Sequence, residues 1–228
     1  MAYKAVFFDR DGTLTYGDPR VKEQTNQLIK SWGGNPFPIS YEKMMELFKA
    51  ASEGKKPWYK DVNDEIAFFH RYYKLMLRDY GLHDHLEERA AQIHQMTWLK
   101  SKAVYPEVVE VLAYFHARGY KMGVISDTSP SLQLTLEAVG LAKYFTSFTA
   151  SSLVGAEKPS PIIFNAALNA QNVTAKESLY VDDYDVEADG AREQGFTSFL
   201  IDRNNQHKGT WVIRSLKAMV DFVERGKD

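Results

Sequence analysis

Short apolar runs recur along this chain, and each stops at a residue able to do chemistry. Ala5 to Phe8, Met122 to Ile125, Leu179 to Val181 and Phe199 to Ile201 are followed at once by Asp9, Ser126, Asp182 and Asp202. A continuous apolar run, unlike an alternating one, predicts a strand buried on both faces, and hence a parallel sheet with helices on each side. Amphipathic stretches lie between the runs. Val108, Val111, Leu112 and Phe115 share a helical face before Gly119, Ser131 to Val139 stop at Gly140, and Glu187 to Gln194 stop at Gly195. A closing helix is predicted with Val212, Leu216, Met219 and Val223 on one face. In such sheets ligands bind outside the carboxyl ends of the strands, which is where the four polar residues fall.

One connection is too long for this alternation. From Tyr16 to about Lys100 the pattern is helical throughout. Asp18-Pro19 caps and opens a helix that Gly33-Gly34 closes, and Ser40 caps a second carrying Met44, Met45, Leu47 and Phe48. Asp61 precedes a third with Ile66, Phe69, Tyr73, Met76 and Tyr80 at helical spacing, and a fourth runs from about Leu86 to Trp98. The expected organisation is an α/β core built from residues 1–15 and 101–228, interrupted by an all-helical domain at 16–100.

Composition narrows the function classes. The 228 residues are 44% hydrophobic and 25% charged, as in an ordinary globular protein. There is no cysteine, which removes disulfides, thiolate metal sites and cysteine nucleophiles, and fits a reducing compartment. A net charge of -2 gives no global attraction to nucleic acid or anionic lipid. No apolar run approaches a membrane span, and charge at Asp9-Arg10-Asp11 arrives too early for a signal peptide. The chain therefore reads as cytoplasmic, with neither a nucleic-acid nor a membrane partner.

The sharpest local signal is Asp9-Arg10-Asp11-Gly12-Thr13. Alternation along a strand end puts Asp9 and Asp11 on one side and turns Arg10 away. Two converging carboxylates favour either a divalent cation or a split into nucleophile and acid. A second acidic run, Asp182, Asp183, Asp185, Glu187 and Asp189, follows another apolar strand. Asp185 and Asp189 fit a helix start, where negative charge is favourable, whereas Asp182 abuts the strand end. Oxygen-only ligands of this kind suit Mg2+. Ser126 offers a hydroxyl ahead of the backbone amides of Asp127 and Thr128, and Lys158, just before the proline-opened segment Pro161 to Leu168, offers a point charge for a phosphate.

Together these stretches resemble the haloacid dehalogenase (HAD) superfamily of hydrolases. Its first motif, an apolar strand and Asp-x-Asp-Gly-Thr, is matched by Phe7 to Thr13, and its second, a strand ending in Ser or Thr, by Val124-Ile125-Ser126-Asp127. The third, Lys-Pro before an apolar helix, is matched by Lys158 to Phe164, and the fourth by Tyr180-Val181-Asp182-Asp183 through Glu187 and Gly190-Ala191. Val181 replaces the glycine frequent before the first acid of motif four.

The resemblance implies a Rossmann-like core with a C1-type helical cap and a phosphatase acting on a small phosphorylated metabolite. It implies that Asp9 attacks phosphorus to form an aspartyl-phosphate, and that Asp11 serves as acid and base, with its proton affinity raised relative to Asp9. Mg2+ is then expected on the Asp9 carboxylate, the Asp11 carbonyl and Asp182, with Asp183 or Glu187 as the further acid. Arg10, Ser126, Asp127 and Lys158 are the candidate substrate-binding residues, Lys158 with a catalytic role as well. A phosphomutase shares these residues. Asp11 and the acids around Asp182 argue against a dehalogenase, and Asp11 together with the large insert argues against a non-enzymatic, receiver-like phosphoacceptor. The insert is expected to act as a lid. Trp32, Trp58, Tyr59, His70, Arg71 and Tyr72 are candidates to meet substrate there, although packing is the commoner role of such aromatics.

Overall fold

A computed structural model describes residues 3–53 and 59–226. Trp58 lies outside the described residues. Six strands form one parallel sheet in the order β5 (Ser147–Ala150), β4 (Lys121–Ser126), β1 (Ala5–Phe8), β6 (Ser178–Asp182), β7 (Thr197–Ile201) and β8 (Val212–Ile213).

The period-two geometry of β1 explains why every one of its side chains is apolar. Val6 and Phe8 join Val124, Val181 and Leu112 on one side of the sheet, while Ala5 and Phe7 join Ile125, Tyr180 and Phe164 on the other. The first side is covered by α5 (Val108–Ala117), α6 (Leu132–Ala138) and α10 (Lys217–Arg225). The second is covered by α8 (Pro161–Gln171) and α9 (Asp185–Glu193), with the short α7 (Ser151–Val154) beside α8.

Residues 19–97 carry α1 (Pro19–Ser31), α2 (Tyr41–Ala51), α3 (Val62–Asp79) and α4 (Leu86–Thr97). The N-caps of the first three are the ones the sequence signals. Asp18 accepts from Arg20 N, Ser40 from Lys43 N, and Asp61 from Asn63 N and Asp64 N. These helices close on a core of their own, built from Ile29, Leu47, Met76, Leu77, Leu82 and Ile93. A two-stranded antiparallel ribbon, β2 (Thr15–Gly17) with β3 (Lys102–Val104), stands where the chain leaves for the helices and returns from them. Among the described residues no helix is long and apolar enough to cross a membrane.

Two features depart from the sequence pattern. β2, β3 and β5 mix polar and apolar residues over three or four positions, too few for a periodic signal. Val212, expected on the closing helix, instead pairs with Leu200 in β8, and α10 starts at Lys217. A pairing edge beside β7 takes Val212 before the helical face begins.

Candidate active site

Register delivers the first three groups. Phe8 is level with Val124 on one side and Val181 on the other, so Ser126, Asp9 and Asp182 emerge from the carboxyl ends of adjacent strands β4, β1 and β6. Asp9 continues the ladder by donating its N–H to Val181 O at 3.0 Å. All three residues are buried.

Lys158 is the fourth. Its Nζ lies 2.9 Å from Asp9 Oδ1, 2.7 Å from Asp182 Oδ2 and 2.6 Å from Glu187 Oε2, with the side chain fully buried. The loop that carries it is fixed at both ends. Its backbone N–H donates to the Asp127 carboxylate at 3.1 Å to either oxygen, and a Cβ at Gly190 would stand 2.2 Å from the Pro159 ring. Only a residue without a side chain lets α9 and Pro159 pack this closely.

Asp182 is gripped from two further directions, by the N–H of Tyr184 at 3.0 Å and by the hydroxyl of Tyr180, which donates to Oδ2. Asp183 stands over the turn at Gly12, where φ is +78° and a Cβ would come within 1.9 Å of the Asp183 carboxylate. Glycine is required there on both counts. Asp9, Asp182 and Asp183 can each place one carboxylate oxygen within 4.8 Å of the others; Glu187 is outside this group and, like Asp9 and Asp182, meets Lys158. Of the described residues, only these three acids make such a group.

Proton affinities follow from this crowding. Burial pushes Asp9 up to about 7 against the pull of Lys158, with Asp182 adding to the rise. Burial and Asp182 lift Asp183 to about 6, and burial lifts Glu187 to about 8. Burial opposes charge on Lys158, but Asp9, Tyr180, Asp182 and Glu187 outweigh it and hold the ammonium well above its ordinary range. Hard carboxylate oxygens with raised proton affinity, gathered beside a buried lysine, suit a small divalent cation.

Asp11 departs from expectation. Its carboxylate lies outside the three-acid group and is half-exposed, held by Arg10 Nη2 at 2.7 Å, Lys102 Nζ at 2.8 Å and the Thr15 hydroxyl at 3.1 Å. Burial alone would raise its pKa, but Arg10 and Lys102 override that and set it at about 2. The order relative to Asp9 is thus the reverse of that expected. The physical reason is that β1 ends at Phe8 and the chain turns at Gly12, so strand alternation does not extend to Asp11. For the same reason Arg10 does not point away. It is buried, and its Nη1 and Nη2 donate to Thr135 Oγ1 and Thr128 Oγ1 at 3.1 and 2.8 Å.

Arg10 borders a cavity of about 250 Å³ between the carboxyl ends of the strands and the helices of residues 19–97, with Lys102, Thr128, Phe69, His94 and Trp98 on its walls. Glu65, nearly inaccessible, closes one side by accepting from Ser131 N at 2.9 Å and Ser131 Oγ at 2.6 Å. His94 stacks on Trp98 with ring centroids 5.2 Å apart. The aromatics singled out from sequence pack elsewhere. Trp32 lies against the helical core, Tyr72 against Phe48, Tyr59 against Phe68 and His70 against His94, while Arg71 Nε donates to Ala51 O. Tyr180, Lys102, Glu65 and Trp98 were not singled out as site residues. Tyr180 sits inside an apolar run, and the others are adjacent to the site only through tertiary structure.

Known proteins place this arrangement. The chain is 24% identical over 235 residues to phosphatase MT3486 of Mycobacterium tuberculosis (strain CDC 1551 / Oshkosh), covering 96% of each chain. It is 24% identical to a plasmid-encoded phosphoglycolate phosphatase of Cupriavidus necator, covering 96% of this chain and 90% of that one. The solved 2-haloacid dehalogenase of Pseudomonas syringae pv. Tomato DC3000 superposes with a TM-score of 0.71 over 99% of this chain and 100% of that one, at 21% identity, a likeness of fold. Residues 3–195 match the haloacid dehalogenase-like hydrolase family as a whole, and the chain belongs to it.

Proposed function

We propose that the protein is a Mg2+-dependent phosphatase that hydrolyses a small phosphorylated metabolite through an aspartyl-phosphate on Asp9. The observation that carries this reading is the buried Lys158 ammonium bridging Asp9 and Asp182 at the carboxyl ends of two adjacent strands. A carboxylate nucleophile needs an electropositive neighbour to meet a phosphoryl dianion, and this one is fixed before substrate arrives. Curated relatives named as phosphatases support the same class.

Asp9, Asp182 and Asp183, with the Asp11 backbone carbonyl, would hold the cation. When bound it supplies charge neutralisation between the nucleophile and the phosphoryl oxygens. Asp9 attacks phosphorus in line with the leaving oxygen. Ser126, the amide of Asp127 and Lys158 hold the equatorial oxygens, whose spread charge needs positioning more than covalent help. Asp11 gives a proton to the leaving oxygen and later takes one from water. Arg10 and Lys102 hold Asp11 ionised, its pKa at about 2, so both giving a proton and taking one require that grip to loosen. The helices of residues 19–97 serve as the cap, and the cavity beneath them receives the leaving group. At about 250 Å³ it is below the usual range for drug-sized ligands, which favours a small substrate. The three-acid group favours phosphoryl over carbon-halogen chemistry.

Asp9→Asn tests the reading. Phosphate release from a panel of small phosphate monoesters, assayed with Mg2+ and with chelator, is expected to fall by at least about 10³-fold in the variant. Undiminished turnover removes Asp9 as the nucleophile.

A further inference from the structure

The fourth strand end, β7, carries Asp202, yet this carboxylate faces its own loop. It accepts from Asn204 N at 3.0 Å and from Arg214 Nη1 at 2.6 Å, with the His207 ring 3.3 Å away. What that braced loop presents to the site is the next residue. Arg203 Nε donates to Gly12 O at 3.1 Å, Nη2 to Thr13 O at 2.7 Å and Nη1 to Glu107 Oε1 at 2.8 Å, while its guanidinium lies 3.5 Å from the centre of the Tyr105 ring.

We propose that Arg203 is a positioning residue that sets the Asp9–Thr13 turn and ties it to the segment returning from the helices. The inference rests on the phosphatase reading for its consequence in rate, and on geometry alone for the grip itself. The turn is held from two sides. Asp183 crowds the Gly12 Cα, and Arg203 takes the two successive carbonyls that follow Asp11. Carbonyls this close to a buried turn need donors, and Thr13 is fully buried. Three divergent N–H directions from one planar group meet Gly12, Thr13 and Glu107 at once, which a lysine ammonium on a flexible stem does not reproduce. Stacking on Tyr105 fixes the plane of the fork. Tyr105 N donates in turn to Leu14 O at 3.2 Å, and Tyr105 to Glu107 follow directly on β3, so the turn and the return strand are held by one residue. Arg203 touches no reacting atom. Its effect passes through where Asp9, the Asp11 carbonyl and Gly12 stand.

The test compares Arg203→Lys with Glu107→Gln in the full chain. Glu107→Gln removes the ion pair but leaves the guanidinium on both carbonyls, so kcat is expected within about twofold of wild type. Arg203→Lys is expected to lower kcat by roughly 10- to 100-fold with KM within about threefold, because misplacement acts on the reacting geometry more than on binding. Hydrogen exchange of the amides at 11–15, read on the same proteins, is expected to quicken in Arg203→Lys and not in Glu107→Gln. Wild-type kcat and unchanged exchange in Arg203→Lys overturn the inference, as does Glu107→Gln matching Arg203→Lys in both. If Arg203→Lys does not fold, Tyr105→Leu, which removes the ring that fixes the guanidinium plane, takes its place: quickened exchange at 11–15 upholds the inference and unchanged exchange overturns it. A wild-type protein that releases no phosphate from any monoester sinks the phosphatase reading instead, and the exchange comparison still decides the role of Arg203.

Discussion

The floor of the site and its roof are built by different means. On the floor, Asp9, Ser126 and Asp182 are set by strand register, and Asp9 and Asp182 share the fixed Lys158 ammonium. Asp182 alone engages Lys158, Tyr180 and the Tyr184 amide. On the roof, the walls are helical side chains. His94 Nε2 on α4 and Trp98 Nε1 at its end are buried there without a hydrogen-bond partner. Sites on strand ends keep reacting groups within tight tolerances, whereas helical walls are free to vary in shape and polarity. On the proposed phosphatase reading, chemistry belongs to the floor and selection among substrates to the roof.

Beyond Asp9→Asn, the floor is broken hardest at Lys158. Lys158→Met leaves Asp9, Asp182 and Glu187 crowded without their shared cation, so destabilisation of about 3–5 kcal/mol is expected by denaturant unfolding, with at least about 100-fold lower turnover. A variant as stable and as active as wild type would dissolve the distinction between floor and roof.

The roof should respond differently. Glu65→Ala strands the buried Ser131 N–H and hydroxyl, with an expected loss of about 1–3 kcal/mol. Because Glu65 sits on α3 and Ser131 follows the Ser126 loop, KM is expected to rise more than kcat falls. Steady-state kinetics with the best monoester decide this, and a fall in kcat at constant KM would move Glu65 to the floor.

The smallest effect concerns pH and metal. Asp9, Asp183 and Glu187 sit at about 7, 6 and 8, above the ordinary carboxylate range near 4. For acids raised on folding, the cost of ionisation is present in full above the folded value and is relieved as pH falls toward the unfolded one. Without a divalent cation, the melting temperature is therefore expected to rise by a few degrees from about pH 8.5 to about pH 6. Mg2+ should raise it more at the higher pH, since cation and proton relieve the same repulsion. Equal Mg2+ shifts at both values would contradict the crowding described for the floor.

The same division decides what could be read from sequence. The sheet, its helices on both faces and the strand-end positions of Asp9, Ser126 and Asp182 were legible because apolar runs and the residues that end them are local signals. Lys158 was legible through its place ahead of Pro161. The environment of Asp11 was not, because Lys102 reaches it from β3, far along the chain, and because the turn at Gly12 cancels the strand alternation that would have aimed it at Asp9. Tyr180 read as core, since only tertiary contact reveals that its hydroxyl ends on Asp182. The roof was the least legible. Phe69, Tyr73, His94 and Trp98 share the helical spacing of packing residues, and nothing local separates a wall from a core.

The most direct test is to trap the covalent intermediate. The protein, mixed with Mg2+ and its best phosphate monoester, is quenched and reduced with borohydride, which converts an aspartyl-phosphate to homoserine, and the residue is located by mass spectrometry. Homoserine is expected at position 9, and none in Asp9→Asn. Homoserine at another aspartate, or rapid phosphate release with position 9 unchanged, would contradict an aspartyl-phosphate on Asp9.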